Sequence, residues 1–244
     1  MSQVPRPLSE LELAWLDLFT KVRRAEAEVG THPSNLAAPF LSTALPGYEP
    51  GGPGTVMLVG KATAGKNTLG EADVTDVYEA ATVKQRTPAV VEEVRSGEYY
   101  GSSFWRFARK LSDAGTERAR SHTEPFANLI WTNIAKIGVA EGNPPASLFR
   151  EQDALAVETI LAEALFYKPS LVVFATSWYR YGCVNRILQQ LTGAKEGEGL
   201  SRDGDWSSPR RAGVPAVLWT GHPQGKSRAW TESKAVRAKE LMAE

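Results

Sequence analysis

Short apolar runs alternate with amphipathic helical patterns along most of this chain. The apolar runs are rich in β-branched and aromatic residues, as buried strands are; they cover residues 55–59, 128–133, 170–176 and 216–222. Helical periodicity covers residues 9–30, 102–115, 150–167, 178–191 and 230–243. Strands that alternate with helices pair in parallel and carry helices on both faces. The sequence therefore predicts an α/β protein, a three-layer α/β/α sandwich with a central, mostly parallel four-stranded sheet.

No linker in the sequence separates two cores. The 244 residues, of which 42% are hydrophobic, suffice for one large α/β domain. Residues 31–54 are rich in Pro and Gly and are predicted to form a surface connection after an N-terminal helix. Residues 70–100 fit either a loop or a short helix after Pro88. We predict a single domain over residues 1–244, with residues 1–54 packed onto it.

The composition limits the classes of partner and cofactor. The formal net charge is zero, so a nucleic-acid partner needs a local basic patch. Cys183 is the one cysteine of the sequence, which excludes an intrachain disulfide and a four-cysteine iron–sulfur cluster. The histidines show no metal-ligand spacing; they are His32, His122 and His222. We expect neither a metal nor another cofactor.

The N-terminal residues carry acidic side chains where a signal peptide would be apolar. No window approaches the ~18 apolar residues that a membrane-spanning helix needs. We therefore expect a cytoplasmic protein, monomeric and without a membrane partner.

Glycine and polar residues follow the predicted strands at the sheet edge where α/β proteins bind ligands. The first such segment, Gly60 to Lys66, is predicted to be a turn and has the G-x-x-x-x-G-K spacing of a P-loop. However, Asn67 stands where a P-loop has Ser or Thr, and no carboxylate ends the second or third predicted strand to hold Mg²⁺. A P-loop nucleotide site is the weaker alternative, and a glycine-rich turn without a ligand is another.

Three of these segments together resemble the active-site motifs of the uracil-DNA glycosylase superfamily. They are VGKATAG with the first predicted strand, TNIAKIG with the second and TGHPQGKSR with the fourth. The segment GSSFWRFARKLSDAG is similar to a Phe-Trp helix of the mismatch-specific and single-strand-selective branches. The resemblance covers residues 55–230 and implies a DNA base-excision hydrolase. Such an enzyme cleaves the N-glycosidic bond of uracil, or of another deaminated base, after that base is flipped out of DNA.

The resemblance implies a function for individual side chains. Asn133 would read the base, because one amide donates and accepts at the uracil edge. His222 would donate to the anionic leaving base. The substrate pocket would also contain Gly60, Lys61, Thr63, Gly65 and Phe104. An aromatic ring must stack on the base, and the candidates are Tyr99, Tyr100 and Phe104. The DNA contacts would come from Lys66, Lys136, Lys226, Ser227 and Arg228.

The chain also departs from the superfamily pattern. Ala62 occupies the catalytic position at which the best-known branch has an acid that positions the attacking water, and Thr63 replaces a proline there. Loss of a positioned base costs ~10²–10⁴-fold in rate. We favour a glycosylase that acts slowly or that removes a base other than uracil. The alternatives are a nucleic-acid or base-binding protein of the same fold without chemistry, and a P-loop-type nucleotide-binding protein.

Overall fold

The structure is a computed structural model. It describes residues 7–24, 36–37, 39–40, 42–45, 48–64, 102–115, 126, 128–139, 142–177, 181–195 and 205–243. Several predictions therefore lie outside the described residues, namely those for the helix after Pro88, for Gly65, Lys66, Tyr99 and Tyr100, and for the side chain of Thr63.

The described residues form an α/β fold in which strands and helices alternate. The strands are β1 (Leu36–Ala37), β2 (Thr43–Ala44), β3 (Val56–Ala64), β4 (Leu129–Val139), β5 (Leu171–Ala175), β6 (Trp206–Ser208) and β7 (Ala216–Thr220). The helices are α1 (Leu8–Arg24), α2 (Ser103–Gly115), α3 (Ala146–Tyr167), α4 (Tyr181–Thr192) and α5 (Arg228–Ala243). The predicted alternation of strands and helices is confirmed.

The sheet is mixed and has the strand order β1-β4-β3-β5-β7-β6, with β2 also paired to β4. The four predicted strands are its parallel part, β4-β3-β5-β7. The strands β1, β2 and β6 add antiparallel pairs at the two sides. The predicted number of four strands is therefore wrong. Strands of two or three residues are too short to show a hydrophobic period in the sequence.

Two segments predicted to be surface connections contribute to the core instead. Leu36, Phe40 and Leu45 are buried within residues 31–54, next to β1 and β2. Residues 192–213 are rich in Gly, Ser and charged residues, which predicts a surface loop, yet Trp206 is buried there in β6. Single apolar residues between Pro, Gly and charged residues carry no periodic signal, so only their tertiary contacts reveal their burial.

Two hydrophobic clusters cover the sheet. Met57 and Val59 of β3 pack in one cluster with residues of α1, α3 and α4. Val56 and Leu58 pack in the other, with residues of α2 and α5. Successive side chains of a strand point to opposite faces, so the two clusters lie on opposite faces of the sheet. Burial on both faces explains why β3 begins as a continuous apolar run.

Strands β3 and β4 are longer than predicted, and together they project past β5. β3 pairs with β5 as far as Val59, but its pairing with β4 continues through Gly60, Ala62 and Ala64. The predicted turn is therefore wrong for residues 60–64, which are strand. We call this projecting part of the sheet, residues 60–64 of β3 and 133–139 of β4, the ledge. At ~3.3 Å per residue, β3 extends roughly 16 Å past its last pair with β5.

Candidate functional site

Gly60 lies at the start of the ledge, opposite Asn133 in the β3–β4 register. A Cβ atom on Gly60 would overlap with Oδ1 of Asn133 and would lie 3.4 Å from Cε2 of Phe104. Glycine is needed here because two side chains approach the backbone closely. Gly60 thus allows the Asn133 amide and the Phe104 ring, from β4 and α2, to meet over β3.

Asn133 is only 2% exposed, so its amide is held in a largely dehydrated position at the base of the site. Trp131 lies on the same face of β4, because side chains two residues apart share a face. The rings of Trp131 and Phe104 have centroids 6.3 Å apart, and Trp105 lies 5.0 Å from Trp131. Aromatic rings from α2 and β4 therefore form an apolar wall beside the Asn133 amide.

His222 reaches the site from the chain segment that follows β7. Its backbone N–H donates to Oγ of Ser177 at 2.8 Å, which ties this segment to the end of β5. Ser177 has a left-handed φ of 52°, and its carbonyl accepts a hydrogen bond from Trp219 Nε1 at 2.9 Å. The His222 ring stacks on Phe104, with centroids 6.3 Å apart and an interplanar angle of 23°. The ends of β5 and β7 and helix α2 are distant in sequence, and together they place His222 beside Phe104.

The His222 imidazole is a neutral hydrogen-bond donor at pH 7. Burial, helped by the nearby charge of Lys61, lowers the pKa of His222 from 6.5 to about 4. Its Nδ1 accepts a hydrogen bond from the Gln224 backbone N–H at 3.2 Å. A neutral imidazole that accepts at Nδ1 carries its proton on Nε2. Nε2–H is therefore the group that His222 can offer to an anionic ligand.

The residues that follow Gly60 on β3 differ in their burial and packing. Lys61 is half-buried, and this burial lowers the pKa of its ammonium group. Ala62 pairs with Ala135 of β4 and packs against the cluster that contains α3. Its methyl group cannot position a water molecule. Thr63 continues strand β3.

Lys136 lies on the other face of β4, inside the core. Its ammonium group donates to Oε1 of Glu163 at 2.7 Å and also to the hydroxyl oxygen of Thr132. Both side chains of the Lys136–Glu163 pair are 0% exposed. Burial lowers the pKa of Lys136, and Glu163 opposes that shift. The predicted contact of Lys136 with DNA is therefore wrong, because a phosphate group cannot reach this ammonium group.

The other described DNA-contact candidates are exposed where α5 begins. Nζ of Lys226 lies 5.8 Å from the centroid of the Trp230 ring. Oγ of Ser227 accepts from the Trp230 backbone N–H at 3.2 Å and so caps α5. Arg228 donates to Glu232 at 2.8 Å and keeps 87% of its side chain exposed. Their contact with DNA stays a prediction.

A cavity of about 970 Å³ lies away from this site, at the opposite end of the sheet. Pro169 and Pro215, which precede β5 and β7, are among its lining residues. Within the described ranges, no group of three or more His, Cys, Asp or Glu side chains is suited to hold a metal ion. No helix in the described part of the chain is long and apolar enough to cross a membrane.

The comparison with known proteins leaves the family open: no protein-family model and no curated protein sequence matches this chain. The site is therefore defined by its own geometry. Among the described candidates, the structure brings together Gly60, Phe104, Asn133 and His222. Lys61 is linked to them only through the effect of its charge on the pKa of His222.

Sequence reasoning missed two residues of the site. Ser177 was signalled only by its position after the third predicted strand, in a segment expected at the ligand-binding edge. Trp131 lies inside the second predicted strand, where an aromatic residue is ordinary. Its Nε1 is a buried donor that has no hydrogen-bond partner in the described structure. Neither feature can be seen without the tertiary contacts.

Proposed function

We propose that this chain is a uracil-DNA-glycosylase-like hydrolase that removes uracil or another deaminated base from DNA. A parallel four-stranded core with a hydrophobic cluster on each face fits the three-layer α/β/α sandwich that the resemblance implies. The observation that carries the proposal is a buried amide and an aromatic ring over Gly60, with a neutral imidazole stacked on that ring. These groups come from three separate motifs of the resemblance.

The chemistry follows from the hydrogen-bonding capacity of these groups. A base flipped out of DNA would stack on Phe104, and the Asn133 amide would both donate to it and accept from it. As the N-glycosidic bond breaks, its electron pair moves onto the base, which becomes an anion. Nε2–H of His222 would donate to that anion. One preorganised donor of this kind contributes ~10²–10³-fold to the rate.

The fate of the sugar depends on the attacking water, because the segment after Gly60 has Ala62 where an acid would orient that water. The oxocarbenium-like carbon takes up the oxygen of a water molecule, which then loses a proton, and the departing base gains one. The methyl group of Ala62 cannot orient that water. We therefore expect slow turnover, with the ~10²–10⁴-fold loss that a missing positioned base causes.

Base release from defined oligonucleotides tests the proposal. Single- and double-stranded substrates would carry uracil, hypoxanthine or xanthine, and alkali would convert each abasic site into a strand break. We expect slow release that Asn133→Ala and His222→Ala each lower by ~10²–10³-fold. Gln190→Ala, which removes an exposed amide on α4, is the matched control and should retain activity. If the folded wild-type protein releases no base from any substrate, the enzyme proposal is wrong.

A binding protein without chemistry is the second candidate function, and the Ala62 methyl group favours it. Such a protein would bind DNA with an affinity that falls steeply with salt, yet it would release no base. The P-loop alternative loses support, because residues 60–64 pair with β4 as a strand. A P-loop needs this segment as a loop that wraps around the phosphates, which an extended strand cannot do.

A further inference from the structure

The cavity at the opposite end of the sheet takes no part in the proposed reaction. Its volume is about 970 Å³, and pockets for small organic molecules occupy roughly 300–1,000 Å³. Its walls come from the C-terminal parts of α3, α4 and α5 and from the segment before β7. A space of this size suits a small organic molecule rather than a single ion.

Part of the cavity lining is apolar. Four large apolar side chains of α3, α4 and α5 belong to it, namely Leu161, Leu165, Leu191 and Met242. Leu165 is 56% exposed, so much of its apolar surface is in contact with water when the cavity is empty. Removal of such surface from water favours the binding of a ligand that has an apolar part.

The charged part of the lining is basic. Lys168, Arg210 and Arg211 line the cavity, and no described residue of the lining is acidic. Within the described part of the chain, none of these three side chains pairs with a carboxylate. Lys168 directly follows α3, where a cation stabilises the carbonyl end of the helix. Arg210 and Arg211 follow strand β6 instead, so they remain available for an anionic ligand.

A hydrogen-bonded turn holds the two arginines at the cavity. The backbone N–H of Arg211 donates to the Val214 carbonyl at 3.2 Å, and the Val214 N–H donates to the Arg211 carbonyl at 3.0 Å. Gly213 has a left-handed φ of 74° in this turn, a conformation that glycine adopts without strain. The backbone of Arg211 is therefore fixed at the cavity, and Arg210 precedes it directly. Guanidinium groups bind phosphate oxygens through paired, charge-assisted hydrogen bonds.

We propose that this cavity binds a small amphipathic phosphate monoester, a molecule with an apolar chain or ring and one phosphate group. The phosphate would pair with Arg210 and Arg211, and the apolar part would cover Leu165 and its apolar neighbours. A phosphate monoester carries a charge of about −1.5 to −2 at pH 7, which matches two guanidinium groups better than the single charge of a carboxylate does. The site is separate from Asn133 and His222, so the inference does not depend on the proposed function.

Calorimetric titration of the full chain with octyl phosphate, below its micelle-forming concentration, tests this inference. Three further compounds separate the parts of the ligand. Octanol has the chain without the charge, inorganic phosphate has the charge without the chain, and octanoate has the chain with a single charge. We expect one saturable site for octyl phosphate and binding of octanoate that is weaker by about 3-fold or more. Octanol and inorganic phosphate should each bind at least about 10-fold more weakly than octyl phosphate.

Matched variants place the binding in the cavity. The double substitution Arg210→Ala and Arg211→Ala should weaken octyl phosphate binding at least about 10-fold. Arg150→Ala, which removes an exposed cation near the start of α3, should leave it unchanged. Leu165→Ser should weaken binding by about 3-fold or more, whereas Leu13→Ser should not, because Leu13 is a leucine of α1 that is 58% exposed and lies outside the cavity lining. All five residues are exposed in the folded chain, so we expect these variants to fold.

Several results would refute the inference. They are the absence of octyl phosphate binding by the folded wild-type protein, equal binding of octanol, octanoate or inorganic phosphate, and equal binding by the cavity variants and their controls. None of these results bears on base release, which would take place at the other end of the sheet. Failure of this inference and failure of the proposed function are therefore distinguishable.

Discussion

Asn133 and Lys136 lie close together on strand β4, and the structure gives them opposite surroundings. Asn133 lies over Gly60 at the candidate site, whereas Lys136 is paired with Glu163 in the core. Both belong to the TNIAKIG motif, and the resemblance implied a base contact for Asn133 and a DNA contact for Lys136. The alternation of strand side chains between two faces separates them. A polar residue in a site motif therefore contributes to the site or to the core according to the face of the strand that it occupies.

The largest expected effect is that of breaking the buried ion pair between Lys136 and Glu163. Lys136→Met leaves the Glu163 carboxylate buried without its cation, and we expect it to lower the free energy of unfolding by about 3–5 kcal/mol. Urea denaturation at pH 7 measures this change. Lys21→Met, which breaks the exposed pair with Glu151, should cost less than about 1 kcal/mol. Equal effects of the two substitutions would mean that the Lys136 pair is not a buried one.

The next effect concerns the close approach at Gly60. In Gly60→Ala the new methyl group would overlap with Oδ1 of Asn133 and press on the Phe104 ring. We expect a loss of about 1–3 kcal/mol in stability, together with weaker base release. Gly182→Ala on α4 is the matched control, because a Cβ there meets no atom within 4 Å. It should be neutral or stabilise the helix by up to about 1 kcal/mol. Unchanged stability and base release in Gly60→Ala would contradict the described site.

The protonation of His222 gives a smaller effect that sharpens the description of the site. Its folded-state pKa of about 4 is below the 6.5 of an unperturbed histidine, so the unfolded chain binds more protons between these two values. The free energy of unfolding therefore keeps its full His222 contribution above pH 6.5 and loses it as pH falls towards 4. After allowance for solvent screening of this partly exposed ring, we expect the free energy of unfolding to fall by about 1–2 kcal/mol across this pH range.

Nuclear magnetic resonance of the imidazole, with His222→Gln used for assignment, measures this titration directly. The ring should stay neutral, with its proton on Nε2, from pH 8 down to about 5. An ordinary midpoint near 6.5 would show that the ring is solvated rather than packed on Phe104.

The smallest effect concerns the exposed cations of α5, which contrast with buried Lys136. Lys226→Ala and Arg228→Ala should each weaken DNA binding a few-fold and lower the slope of log affinity against log salt by about 1. Fluorescence anisotropy with a labelled oligonucleotide at several salt concentrations measures both quantities. Lys21→Ala on α1 should leave the slope unchanged. A slope unaffected by either α5 substitution would place the DNA contacts elsewhere.

The parallel part of the sheet could be predicted because its signal is local. Buried parallel strands such as LVVFA of β5 are apolar on both faces, and a continuous apolar run is visible in any sequence. The antiparallel strands could not be predicted in this way. β1 and β2 are too short to show a hydrophobic period, and they form strands because they pair with β4.

The candidate site could be predicted only as a set of segments. Motif order indicated Gly60, Asn133 and His222, and the structure brings these residues together with Phe104. The position of Ser177 depends on contacts between residues far apart in the chain, as does the neutral state of His222. The sequence also could not show that β3 continues past Gly60 as a strand, because that continuation depends on pairing with β4.

The alternation of strands and helices, the apolar faces that build the two clusters and the residue types available for chemistry can all be read from the sequence. These properties depend on hydrophobic periodicity, which each segment carries alone. Which polar residues lie together depends on the folded chain. Lys136 pairs with Glu163 in the core, and Asn133 lies against Gly60 near Phe104 at the ledge. Burial and hydrogen bonding of polar groups depend on neighbours distant in the chain, and those neighbours exist only once the sheet has formed.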